Sequence, residues 1–179
     1  MRTFVAVEIS KREILKKIQT FQEKIKIDAK ATRVDQIHFT LQFLGEIDEE
    51  KCEQVKDVLN EIDFSEFKIS LKGMGGFPNF KNPRVIWVGI EKNGAAELTE
   101  LANEIGTKLA TLDFKKEKKF KPHLTIFRIR KKIGNISAIT KDFEAEEFGT
   151  EIISKIKLKK SVLSPKGPEY SDLLEINAK

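Results

Sequence analysis

Residues 36–45 read Gln36-Ile37-His38-Phe39-Thr40-Leu41-Gln42-Phe43-Leu44-Gly45, and residues 121–128 repeat the pattern as Lys121-Pro122-His123-Leu124-Thr125-Ile126-Phe127-Arg128. The chain holds two histidines, and each opens a His-x-Thr. Alternating apolar runs rich in Phe, Leu, Ile and Thr predict half-buried strands of period 2. On such a strand residues i and i+2 share a face, so His38 and Thr40 project together while Phe39, Leu41 and Phe43 project into a core. His123 and Thr125 stand in the same relation to Leu124 and Ile126. Each motif strand therefore offers an imidazole and a hydroxyl side by side.

The flanking sequence supplies the rest of the architecture. Arg2 to Ile9 predicts a first strand. Ser10-Lys11-Arg12-Glu13 has capping-box spacing, and Ile14, Leu15, Ile18, Phe21 and Ile25 recur at helical intervals, so a helix is expected over 11–25. After Gly45, Asp48 is expected as an N-cap with Glu49 and Glu50 in the first helical turn, where they suit the helix dipole. Val55, Val58, Leu59 and Ile62 form that helix's apolar stripe, with Cys52 as a small packing residue. Strands are expected at 67–71 and 84–90, joined by a Gly-, Pro- and Asn-rich loop over 73–83. From Ala95, the positions Leu98, Leu101, Ile105, Leu109 and Leu112 return to helical spacing. A short helix over 136–143, a long strand to Leu163, a turn at Gly167-Pro168 and a last strand over 170–176 complete the reading. Two motif strands with matching neighbours predict an α+β fold of two pseudo-symmetric lobes, each an antiparallel sheet with helices on its outer face, facing across a central cleft. One bilobal domain is expected over residues 1–179.

Composition is that of a globular chain, with 40% hydrophobic and 34% charged residues and no Pro/Gly/Ser-rich run long enough for a linker. The net charge of +5 favours a polyanionic partner. A single cysteine excludes an intramolecular disulfide, and with two histidines it leaves no Cys/His zinc set, so neither metal nor other cofactor is expected. The apolar run from Phe4 to Val7 stops at Glu8, too short for a signal-peptide core, and no stretch approaches a membrane span. A cytoplasmic protein without a membrane partner is the expectation.

Two imidazoles on opposing strands can serve as general acid and general base on one phosphoryl group, because histidine titrates near neutral pH. The threonine hydroxyls can donate to non-bridging phosphate oxygens, where charge develops in the transition state. Taken singly, either histidine fits an ordinary hydrogen-bonded position on a sheet face. The matched settings of both favour chemistry.

At this point the sequence resembles the RNA 2′,3′-cyclic phosphodiesterases, also called 2′-5′ RNA ligases, of the two-histidine phosphoesterase superfamily. The resemblance rests on Arg2-Thr3-Phe4-Val5-Ala6-Val7, both His-x-Thr strands, Gly76-Phe77-Pro78, Pro83 to Ile90, Ser161-Val162-Leu163 and Gly167-Pro168-Glu169-Tyr170. It implies hydrolysis of a terminal 2′,3′-cyclic phosphate to a 2′-phosphate, with His38 and His123 as the acid–base pair and Thr40 and Thr125 on the phosphate. The family precedent makes the first histidine the acid for the leaving 3′ oxygen and the second the base for water; the sequence itself does not order them. Arg128 is implied as a phosphate ligand, but it has the opposite parity to His123, so reaching the cleft requires a bulge or a strand end near Phe127. Where relatives often carry an aromatic or Pro-rich approach to the first motif, this chain has Ala31-Thr32-Arg33-Val34-Asp35.

The implied partner is an RNA ending in a 2′,3′-cyclic phosphate, tRNA fragments included, bound by a monomer. Lys118, Lys119, Lys121 and Arg130 are candidates to follow the RNA backbone, as are the basic runs 115–121, 128–132 and 155–160, with Phe77, Phe80 or Phe127 stacking on bases. The alternatives are 2′-5′ ligation by the reverse reaction, or a non-catalytic RNA-binding module.

Overall fold

The structure, a computed structural model, describes residues 1–116, 119–165 and 167–179. Two antiparallel sheets dominate the described residues. The first has strand order β3-β1-β8-β9, built from β1 (Arg2–Glu8), β3 (His38–Glu46), β8 (Lys155–Ser164) and β9 (Gly167–Asn177). The second has order β2-β6-β5-β4-β7, built from β2 (Lys30–Ala31), β4 (Phe67–Phe77), β5 (Val85–Ile90), β6 (Leu124–Arg128) and β7 (Glu147–Ile153). The fold is α+β, as expected. No helix among the described residues is long and apolar enough to cross a membrane.

One face of each sheet is apolar, and helices cover it. Val5, Val7, Phe39, Leu41, Ile156 and Leu158 of the first sheet join Ile69, Leu71, Ile86, Val88, Leu124 and Ile126 of the second in one continuous core. Each such side chain contributes roughly 1.5–3 kcal/mol on burial. Helix α1 (Arg12–Lys24) inserts Ile14, Ile18 and Phe21, and Phe21 meets Phe143 and Phe148 edge-on at 4.9 and 5.2 Å. Although α1 follows the first strand of the first sheet, it packs on β7 and β6 of the second. Helix α2 (Glu49–Asn60) lies against α3 (Lys92–Leu109), and α3 touches both β3 and β4. The helices thus tie the sheets together, rather than each serving its own motif strand as the element order had suggested.

Local starts and stops follow the sequence with informative exceptions. Asp48 caps α2 by accepting from the Lys51 N–H at 2.7 Å, as its position predicts. The expected capping box at Ser10 does not form. The carboxylate of Glu151, 2% exposed on β7, accepts from the backbone N–H groups of Ser10 and Lys11 at 2.8 and 2.9 Å. A distant acid does the capping here. Strand β4 runs through the glycines read as loop, because Gly75 leaves room for the Trp87 ring, which a Cβ would meet at 2.0 Å. The long strand expected before Leu163 breaks at Ser154: β7 belongs to the second sheet and β8 to the first. α4 (Ser137–Lys141) matches the short helix expected there.

Candidate active site

Both histidines are held by the same local device. His38 opens β3, and its Nδ1 lies 2.8 Å from the Gln36 carbonyl oxygen. His123 precedes β6, and its Nδ1 lies 2.7 Å from the Lys121 carbonyl oxygen. A carbonyl oxygen only accepts, so each Nδ1 donates and each Nε2 becomes the atom that exchanges a proton.

The motif strands also share a bulge immediately after the threonine. Ala6 pairs with Thr40 and Val5 with Gln42, which leaves Leu41 unmatched; Trp87 pairs with Thr125 and Ile86 with Phe127, which leaves Ile126 unmatched. An extra residue reverses the alternation of faces. Leu41 and Gln42 are therefore both buried, as are Ile126 and Phe127. Beyond each bulge the next outward residue, Phe43 on β3 and Arg128 on β6, returns to the histidine's face.

This shift settles the parity of Arg128, which joins His123 and Thr125 in the cleft. It also overturns two expectations. Phe43, read as core, is 57% exposed and lines the cleft, whereas Phe127, read as a base-stacking candidate, is 3% exposed and packed in the core. The apolar run alone does not reveal where a bulge falls. Phe43 occupies the same place after its motif as Arg128, and that correspondence is the one signal in the sequence for its place in the cleft.

The sheets meet at the motif strands, β3 beside β6, and enclose a cleft of about 280 Å³. His38, Thr40 and Phe43 face His123, Thr125 and Arg128 across it. Ala31, Thr32 and Arg33 form part of the rim, with Arg33 paired to Asp35. Tyr170 closes another side, where Gln36 Nε2 donates to the Pro168 carbonyl at 2.9 Å. Neither Gln36 nor Tyr170 carries a local signal of such a role. Among the described residues no three His, Cys, Asp or Glu side chains gather as a metal-binding group.

The surroundings of the two imidazoles differ. His38 stacks on Phe4 at 4.9 Å and 28°, with Tyr170 edge-on at 5.3 Å. Burial pushes its pKa down to about 4; the Gln36 carbonyl opposes this, the Lys159 and Arg128 cations reinforce it, and Glu8 works against them. His123 meets the Phe77 ring edge-on at 4.9 Å, with Trp87 at 6.5 Å. Lys121 Nζ stands 5.3 Å from the Phe77 ring and 5.7 Å from that of Trp87. Phe77 and Trp87, 5.3 Å apart, thus both pack against His123 and support the imidazole.

The other predicted RNA contacts divide by location. Arg130 lines both the cleft and an adjoining hollow of about 320 Å³, which Lys30, Arg128 and Lys131 also border. Lys119 is exposed and lies outside the cleft lining, and Phe80 is half-buried against the core. Lys118 lies outside the described residues. In the run 155–160, Lys155 pairs with Glu175, while Lys157 and Lys159 pair with Glu8 and Asp172. Those lysines face carboxylates of their own sheet, a pairing that sequence-local reading does not show.

Over nearly its whole length the chain is similar to known proteins. Residues 2–173 match the AKAP7 2′5′ RNA ligase-like domain. An RNA 2′,3′-cyclic phosphodiesterase of Archaeoglobus fulgidus is 42% identical over 97% of this chain and 98% of its own. One from Methanocaldococcus jannaschii is 40% identical over 98% of this chain and 99% of its own. Among solved structures, E. coli LigT complexed with 3′-AMP superposes with a TM-score of 0.80 at 23% identity, covering 99% of this chain and 96% of that one. With near end-to-end relatives on the same fold, the chain belongs to the RNA 2′,3′-cyclic phosphodiesterase family, within the 2′5′ RNA ligase-like domain.

Proposed function

We propose that this protein opens terminal 2′,3′-cyclic phosphates on RNA by metal-independent acid–base catalysis, leaving a 2′-phosphate. The observation that carries the reading is the convergence of His38, Thr40, His123, Thr125 and Arg128 on one cleft, each imidazole oriented by an identical Nδ1 hydrogen bond. The phosphate sits between the histidines. Thr40, Thr125 and Arg128 donate to its non-bridging oxygens. One Nε2 takes a proton from water as the water oxygen bonds to phosphorus; the other gives a proton to the 3′ oxygen as the P–O3′ bond breaks.

We assign the acid role to His38, in line with the family resemblance. In the substrate-free protein its depressed pKa leaves it neutral at pH 7, so it must gain its proton from solvent as the substrate binds. An anionic phosphate beside the ring supplies the charge that favours imidazolium. Binding should therefore take up a proton.

The RNA strand leaves the cleft over the β2–β6 edge, where Arg130 and Lys131 follow Arg128 along the adjoining hollow. Phe43 and Tyr170 offer faces for the terminal base. We treat residues 1–179 as one bilobal unit because one core runs through both sheets. The buried free thiol of Cys52 fits a reducing cytoplasm.

The test is incubation with a short RNA ending in a 2′,3′-cyclic phosphate, in EDTA, followed by assignment of the product phosphate. A 2′-phosphate formed at an undiminished rate is expected. Dependence on an added divalent ion, or absence of turnover, would refute the mechanism.

A further inference from the structure

Beside His38, on the face of its sheet that carries Phe4, lies a cluster of charged side chains that the mechanism above does not use, four of them joined in a ring and Glu175 at its edge, 3.8 Å from Lys157 and paired with Lys155. Register places them there. Glu8 pairs with His38 across β1 and β3, and Phe4, the ring on which His38 stacks, pairs with Lys159 across β1 and β8. Directly opposed residues of antiparallel strands share a face. Lys157 sits opposite Ala6 on the same side, and Asp172 of β9 pairs with Lys159. Lys157 Nζ donates at 2.7 Å to both Glu8 and Asp172, and Lys159 bonds the remaining oxygen of each carboxylate. Two cations and two anions close a ring.

Such a ring is costly in a fold that only needs to be stable. Lys159 is 5% exposed, and desolvating an ammonium there weighs against its pairing energy; apolar residues of similar volume often serve stability as well or better. The bonds are nonetheless made in full. Burial favours neutral carboxyls at Glu8 and Asp172, yet the two ammonium groups overcome it and hold both acids below their ordinary values. The ring also lies within electrostatic reach of His38: Lys159 disfavours its protonation and Glu8 favours it.

We propose that the Glu8–Lys157–Lys159–Asp172 ring is a positioning and charge-setting element for His38, holding Phe4 under the imidazole and balancing the local field so that the phosphate decides when His38 takes its proton. This rests on the reading of His38 as a proton-transfer group. The other titratable or charged groups around the cleft with His38 are Tyr170 and Glu169 of β9, Arg33 on the rim, and Lys30, Arg128 and Arg130 with His123 from the opposite sheet. None of these belongs to the ring. With the ring intact its formal charges cancel, as do those of the Lys155–Glu175 pair attached to it, so removing one member leaves a net charge whose sign depends on which member goes.

That sign gives the test. The full-length protein has two histidines, so its imidazole Cε1–H signals can be assigned with one His→Asn variant and titrated by NMR. Lys159→Met leaves net negative charge and should raise the His38 pKa; Glu8→Gln leaves net positive charge and should lower it, each by on the order of half a unit to one unit. The double variant should return His38 close to its starting value. Lys157→Met, whose side chain is 18% exposed, takes the place of Lys159→Met if that variant does not fold, and it should move His38 in the same direction as Lys159→Met. The His38-dependent limb of kcat/KM for a mononucleotide 2′,3′-cyclic phosphate should move with the NMR value. Shifts of equal sign in Lys159→Met and Glu8→Gln, or none beyond about 0.2 units, would reduce the ring to a structural ion cluster. NMR shifts of opposite sign with an unmoved kinetic limb would uphold the ring's influence while rejecting His38 as the proton donor.

Discussion

The two motif strands share a geometry and differ in what stands behind it. Both fix Nδ1 on the carbonyl two residues back, both bulge after the threonine, and both bring one further side chain onto the cleft face. On β3 that side chain is the Phe43 ring; on β6 it is the Arg128 guanidinium. Behind His38 lie Phe4 and an ion ring, whereas behind His123 lie Phe77 and Trp87 with Lys121 over their faces. The repeat aims two imidazoles into one cleft and gives them different surroundings, which suits the opposite proton tasks proposed for them. A cleft with two identical surroundings would have no such division.

If the histidines act as a pair, removing either should be nearly as damaging as removing both. His38→Ala and His123→Ala should each lower kcat/KM by on the order of 10³–10⁴, and the double variant should lose little more. Near-full turnover in either folded single variant would break the comparison outright.

The bulges can be probed through the phenylalanines they sort. Phe127→Ala removes a core ring and should cost about 3–5 kcal/mol in denaturant unfolding. Phe43→Ala should leave stability within about 1 kcal/mol and raise KM for a cyclic-phosphate nucleotide. The reverse ranking would mean that the strands alternate without a bulge.

The surroundings of His38 should also appear in stability against pH. Its folded value, about 4, lies below the ordinary 6.5, so the unfolded chain binds the proton first as pH falls. Stability should be flat above pH 6.5 from this group and decline by roughly 3 kcal/mol between about 6.5 and 4. Glu8 and Asp172, whose folded values are also depressed, add a further loss at lower pH as they protonate. Saturating phosphate should shrink the first decline. A curve unchanged by phosphate over that window would separate His38 from the anion site.

These particulars show what the sequence could and could not reveal. Period-2 alternation locates the motif strands, and helical spacing with Asp48 locates α2, because those signals arise between residues close along the chain. Arg128 was legible up to its parity, which demanded a bulge or a strand end; the structure has the bulge. What stayed hidden depends on distant partners. Glu151 caps a helix from across the second sheet; Ser154 divides one apolar run between two sheets; Lys157 and Lys159 look like solvated bases until β1 and β9 bring carboxylates to them. Phe43 and Phe127 exchanged expected places because strand registry, not hydrophobicity, decides which face each one takes.

The central claim is that one phosphate is held between both histidines. It can be tested directly by following the Cε1–H signals of His38 and His123 while titrating the protein with a nucleoside 2′-phosphate near pH 6.5. The account predicts that both signals move along one binding curve with a single Kd, and that His38 shifts toward imidazolium as the protein takes up a proton. Movement of one histidine alone, or two curves with different Kd values, would contradict it.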